Sequence, residues 1–161
     1  MSQFEVTIPE YEKVSGVTKL DLKAVFEAEG RLIEGKDVNA ATYGALEYLY
    51  NEGYRQSKMH LATVSFQKIR AERQRDREKS RVILEVLPPL LEGKPASYNN
   101  SDFRHSILVS DEKYNSVCEH IDLLTSMEHF FETRISVFEK VCQYMRKQMD
   151  IQTKSTYNPR L

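Results

Sequence analysis

No long apolar run occurs in this sequence, so no segment of it is expected to span a bilayer. The first twenty residues lack the basic-then-apolar layout of a signal peptide, and the chain reads as cytoplasmic. Cysteine is scarce. Cys118 and Cys142 are 24 residues apart in one expected helix, about 36 Å at helical rise, too far to pair, and read as reduced structural thiols. An excess of one charge is also missing: 23 basic residues face 24 acidic ones, for a net charge of −1. Nothing global therefore marks a nucleic-acid or membrane protein, and any electrostatic function must come from a local patch. What is present is a 161-residue chain, 40% hydrophobic and 29% charged, with mean hydropathy −0.55. That is enough apolar matter for one core, and a charge content that suits long two-sided helices better than a sheet protein.

Proline and glycine are few and unevenly placed. No proline falls between Pro9 and Pro88 or between Pro95 and Pro159, and no glycine follows Gly93. Helices need freedom from both residues, because proline removes a donor and glycine costs backbone entropy. This punctuation predicts an N-terminal tail over residues 1–17, a helical domain over 18–151 and a C-terminal tail over 152–161. Within the domain, a short helix is expected from Thr18 to Ile33, with Leu22, Val25, Phe26, Leu32 and Ile33 as its stripe. A turn at Gly35-Lys36-Asp37 and an Asn39 cap should lead into a second helix reaching about Val86. Its stripe is Tyr43, Leu46, Tyr50, Gly53, Ser57, Leu61, Val64 and Lys68. A loop from Pro88 to Val109 follows, in which Ser106–Val109 has some strand character.

The third helix is the clearest. Ser110 serves as its expected cap, with Asp111 and Glu112 in the first turn, where the helix dipole favours acids. Tyr114, Val117, Ile121, Leu124, Glu128, Phe131, Ile135, Phe138, Cys142, Met145 and Met149 then alternate at +3 and +4, apolar except Glu128. This is a coiled-coil or bundle seam. Leu123, Met127, Phe130, Val137, Val141 and Tyr144 widen it beyond one partner, which predicts self-association. Ile121, Leu124, Phe131, Ile135, Phe138 and Met145 are the expected interface between copies. The fold class expected is all-α: a long antiparallel helical hairpin plus a short N-terminal helix, associating into a helical oligomer.

Catalytic signatures are wanting. A di-metal bundle needs Glu-x-x-His, yet position 117 before His120 is Val and position 126 before His129 is Ser. His60 and His105 complete the set of four histidines. There is no Gly-rich phosphate loop, no Gly-x-Ser-x-Gly and no His-Glu-x-x-His. No catalytic residue, metal site or cofactor is expected, and the chain reads as non-enzymatic.

One stretch carries charge information. Residues 68–81 hold seven basic and three acidic side chains, a local +4. On a helix Arg70, Arg73, Arg77 and Arg81 fall within about 80° of one another, and Lys68, Arg75 and Lys79 lie nearly opposite. Such a run is either a solvated face laced by i,i+4 pairs or a ladder of guanidinium groups that tracks phosphates. Five of the seven are arginine, whose planar fork suits phosphate oxygens. No aromatic residue is interleaved, so base stacking would come from elsewhere and recognition would be sequence-tolerant.

The stretch from about Tyr48 to Asp150 resembles the phage recombination mediators of the UvsY type. The matching features are Tyr54-Arg55-Gln56-Ser57-Lys58-Met59-His60, the basic run Ile69-Arg70-Ala71-Glu72-Arg73, and the turn Leu91-Glu92-Gly93-Lys94. Ile107 to Asp111 then leads into a closing helix bearing Arg134 to Phe138 and the basic pair Arg146-Lys147. The family's basic pair and tyrosines before the turn are replaced here by Val82–Pro89, which holds neither. The resemblance implies single-stranded DNA binding by ring-like oligomers. It also implies partners: a RecA-like recombinase loaded onto strands covered by single-stranded-DNA-binding protein, in the host cytoplasm if the chain is phage-encoded. It carries the DNA-binding role onto Lys58, Arg70, Arg73, Lys79 and Arg81, to which the charge pattern adds Lys68 and Arg77. The alternative is a helical protein–protein adaptor, a phage assembly chaperone or an inhibitor of a host enzyme, with no nucleic-acid binding.

Overall fold

The computed structural model describes residues 4–10, 16–34 and 38–157. In chain order the elements are β1 (Glu5–Glu10), β2 (Gly16–Asp21), α1 (Lys23–Glu34) and α2 (Tyr43–Arg81). A π-helical turn (Val82–Val86), α3 (Leu87–Leu91), a 3-10 turn (Ala96–Tyr98), α4 (Ser101–Ser110) and α5 (Glu112–Tyr157) complete them. The chain is mostly helical, as periodicity predicts, and adds one two-stranded sheet to the all-α expectation. The turn expected at Gly35-Lys36-Asp37, the side chains of Leu32 and Ile33, and the last residues of the C-terminal tail lie outside the described residues. No helix among the described residues is long and apolar enough to cross a membrane.

The N-terminal tail and the start of the short helix at Thr18 are corrected. Residues 5–10 and 16–21 pair as strands, and α1 begins only at Lys23. Thr18, Leu20 and Leu22 turn inward while Val17, Lys19 and Asp21 face out, a period of two rather than 3.6. The β-branched residues Val6, Thr7, Ile8, Val17 and Thr18 favour this extended form. Asp21 ends it, its Oδ1 accepting the backbone N–H of Lys23 at 2.9 Å to open α1.

The loop expected over 88–109 is corrected as well. Pro88 and Pro89 sit in the first turn of α3, directly after the π-helical turn. Asn100 caps α4 by accepting from the Phe103 N–H at 2.8 Å, and the Ser106–Val109 segment is helix rather than strand. Ser110 therefore ends α4. The cap of α5 is Asp111, whose Oδ1 accepts from the Tyr114 N–H at 2.9 Å. The expected C-terminal tail begins as helix, since α5 runs to Tyr157. Asn39 opens the turn that leads into α2, accepting from the Ala41 and Thr42 N–H groups, and α2 itself begins at Tyr43.

Two compact units divide the described chain. The first comprises residues 4–8, 19–63 and 127–157. Its core joins Val25 and Ala28 of α1, Tyr50 of α2, and Phe138, Cys142 and Met145 of α5. Contacts along α2 and α5 run in opposite order: Glu47 meets Arg146, Asn51 meets Cys142, and the His60 ring lies 5.5 Å from that of Phe131. Gly53 lets α1 approach. A Cβ there would stand 2.7 Å from the Ala28 Cβ and 3.2 Å from Phe138 Cε2. Arg134 ties α5 to α1, donating to Glu29 Oε1 at 2.7 Å while its guanidinium lies 4.0 Å from the Phe130 ring centre. Both cysteines are free thiols, and burial pushes the Cys142 thiol up.

The second unit comprises residues 9–10, 16–18 and 64–126. Val64, Ala71, Val82, Leu87, Leu108, Val117 and Leu124 are buried there. Its polar anchor is Arg81, which donates to Glu78 and Asp111, each at 2.6 Å.

The expected interface between copies is corrected by burial. Leu124, Phe131, Phe138 and Met145 are buried inside a single chain, and Ile121 and Ile135 are half-buried. The first four have no surface to offer a second copy. These four are core residues, whereas Ile121 and Ile135 keep part of their surface.

Candidate nucleic-acid interface

The seven basic residues expected to contact DNA meet different fates. Arg81 is spent on the fold. Its two carboxylate partners push its pKa up, and its guanidinium holds the Asp111 carboxyl below the usual carboxylate range. A guanidinium held in two charge-assisted bonds is a poor phosphate ligand, so the DNA-contact role expected of Arg81 is withdrawn. Lys58 belongs to the first unit, 4.7 Å from the Tyr54 ring centre, where the Tyr54 hydroxyl raises its pKa. Lys68 is half-buried, whereas Lys79 is exposed.

Arg73 and Arg77 remain at the surface. Both are exposed, one turn apart, and they line a shallow depression with Asp76 and Ser80. The acid does not cancel them, because Arg75 pairs with Asp76 at 3.3 Å from the flank. The helix delivers this arrangement through i,i+3 and i,i+4 spacing alone. Its inner face is fixed by Ala71 and by the buried Gln67, which leaves positions 73 and 77 turned outward.

An aromatic residue lies one turn upstream of Arg70, outside the charged stretch. Phe66 is 53% exposed, and the Arg70 guanidinium lies over its ring at 4.3 Å from the centre. Ile69 beside it is also exposed. The charged stretch begins at Lys68, so a ring four residues before Arg70 falls outside it. Helical spacing, carried one turn further back, finds it. Phe66, Arg70, Arg73 and Arg77 recur at +4, +3 and +4 on one side of α2, an apolar plane followed by cations. Such a surface can hold phosphate oxygens and stack a planar group; it has no nucleophile or general base arranged for chemistry.

His60 takes a structural place. It is buried, and its Nε2 bonds the Asp21 carbonyl at 2.7 Å. Among the described residues no three His, Cys, Asp or Glu side chains gather as metal ligands. No family model, curated protein or solved structure matches the chain, so the likeness to the UvsY mediators stands on its motifs alone.

Proposed function

We propose that the chain is a non-enzymatic, single-stranded-DNA-binding accessory of recombination or repair, a mediator in the manner of the UvsY type. The observation that carries this reading is the exposed pair Arg73 and Arg77, continued on the same side of α2 by Arg70 and the half-exposed Phe66. Two free guanidinium groups neutralise about two phosphates, a salt slope of about −1.4 in log K for single strands. Alone that is weak. An oligomer multiplies it through effective concentration, which is why self-association belongs to the proposal. With the α5 seam buried, the apolar residues left for a second copy include Val137, Tyr144 and Ile151, exposed at intervals of one heptad on α5. The opposite order of contacts along α2 and α5 supports a long antiparallel hairpin as the subunit. Loading of a RecA-like recombinase onto strands covered by single-stranded-DNA-binding protein follows from the resemblance.

The test is charge reversal at Arg73 and Arg77 together, with oligothymidylate binding measured at low and at physiological salt. Weaker binding and a flatter slope are expected, with helicity and mass in solution unchanged. Equal binding by wild type and variant would return the stripe to a solvated helix face. The adaptor reading draws on a different observation: Leu84 is 73% exposed, and Ile83, Leu90 and Val109 are exposed too. It forecasts no DNA affinity at any salt.

A further inference from the structure

The connection between α3 and α4 carries an aromatic cluster that folding does not call for. Every residue from Glu92 to Asp102 is exposed, and the segment has no core of its own. Yet it holds Tyr98, 51% exposed, with the Phe103 ring edge-on at 6.2 Å between centres. Lys94 completes the cluster, its Nζ 5.2 Å from the Tyr98 ring centre and 5.3 Å from that of Phe103. Gly93, at φ +72°, supplies the left-handed turn that delivers Lys94 to the rings. Around Tyr98 and Phe103 lies an open depression of about 480 Å³, lined also by Ser97, Asn100, Asp102 and Ser106.

We infer that this depression is a stacking subsite for one nucleobase, with Lys94 set to meet the phosphate of the same nucleotide. The chemistry selects the ligand. A half-exposed ring offers a face to any planar π-system, and base–aromatic stacking tolerates every base. On the rim the Asn100 amide and the Ser106 hydroxyl bond the backbone of their own turn, which leaves the Ser97 hydroxyl and the Asp102 carboxylate to meet the donor and acceptor edge of a base; such a rim suits neither a lipid chain nor an aliphatic side chain. A lone carboxylate disfavours a purely anionic ligand, whereas a nucleotide presents base and phosphate to different groups. The inference rests on the strand-binding reading, and it adds a stacking ring to the one that Phe66 offers on the arginine face. Arg73, Arg77 and the cluster belong to one unit, and Phe103 is eight helical residues, about 12 Å, from the Asp111 that Arg81 grips.

The experiment compares a base-bearing oligonucleotide with an abasic deoxyribose-phosphate strand of equal length, on the full chain. Wild type should bind the base-bearing strand about tenfold tighter. Tyr98→Ala should erase that ratio while leaving the salt slope intact, and Tyr98→Phe should keep it. Equal binding of the two strands by wild type, or a ratio that survives Tyr98→Ala, overturns the subsite and leaves the arginine ladder standing. If neither strand binds, the ladder has failed and adenosine decides: shifts of the Tyr98 and Phe103 ring resonances uphold the subsite, and unchanged resonances reject it.

Discussion

Replacing Gly53 by alanine tests the closest approach in the first unit, because two physical effects oppose each other there. In a free helix the change is favourable by about 1 kcal/mol, since glycine is the poorer helix former. In this fold the new methyl would stand 2.7 Å from the Ala28 Cβ, 3.2 Å from Phe138 Cε2 and 3.4 Å from the Ala24 carbonyl oxygen. Carbon atoms rest at about 3.5–4.0 Å, so α1 and α2 must part by about an ångström. Ala28 and Phe138 are both fully buried and cannot swing aside. Overpacking of this kind costs about 1–3 kcal/mol, and the clash with a backbone-borne methyl belongs at the upper end. The expected net effect is a loss of about 1–2 kcal/mol, or a urea midpoint lower by about 0.5–1 M if the slope is about 2 kcal/mol/M. Helical circular dichroism against urea reads it. Gly30→Ala is the control: nothing lies within 4 Å of a Cβ at that position, and a gain of about 0.5–1 kcal/mol is expected. A Gly53→Ala chain as stable as the wild type would refute the packing of α1 on this glycine.

Phe131→Ala should destabilise the chain by about 3–5 kcal/mol in thermal or urea unfolding without changing its association state, because the ring is core rather than interface. Asp111→Ala should cost about 2 kcal/mol by removing both the α5 cap and the partner of Arg81, whereas Asp111→Asn keeps the cap and should cost less. The Asp111 carboxyl is held below its unfolded value of about 3.9, so its stabilisation is present above that pH and lost as pH falls through the lower folded value; wild type and Asp111→Asn should converge in acid unfolding. Arg81→Ala should lower stability and leave the salt slope of DNA binding unchanged, the opposite of the Arg73/Arg77 reversal.

The helices are legible in the sequence because their determinants are local. A +3/+4 apolar rhythm from Tyr114 to Met149 and the scarcity of proline and glycine leave the backbone few other ways to satisfy its hydrogen bonds. The N-terminal hairpin is less so. Six-residue strands give a weak period-two signal, and Leu20 and Leu22 fit a helical stripe as readily as an inward strand face. Side-chain caps at Asp21, Asn100 and Asp111 set the helix starts, a choice between neighbouring polar residues that only geometry makes.

The candidate interface divides in the same way. Charge density over 68–81 and the common side of Arg70, Arg73 and Arg77 are properties of sequence and helix alone. Which cations are free is not, since Arg81 is claimed by Asp111, thirty residues on, through a contact no local pattern encodes. Burial is likewise a tertiary property. The α5 seam announces apolar partners, but only packing decides that Leu124, Phe131, Phe138 and Met145 find them within the chain, while Phe66 and Tyr98 remain outside. Periodicity fixes which residues share a face; what covers that face depends on the rest of the molecule.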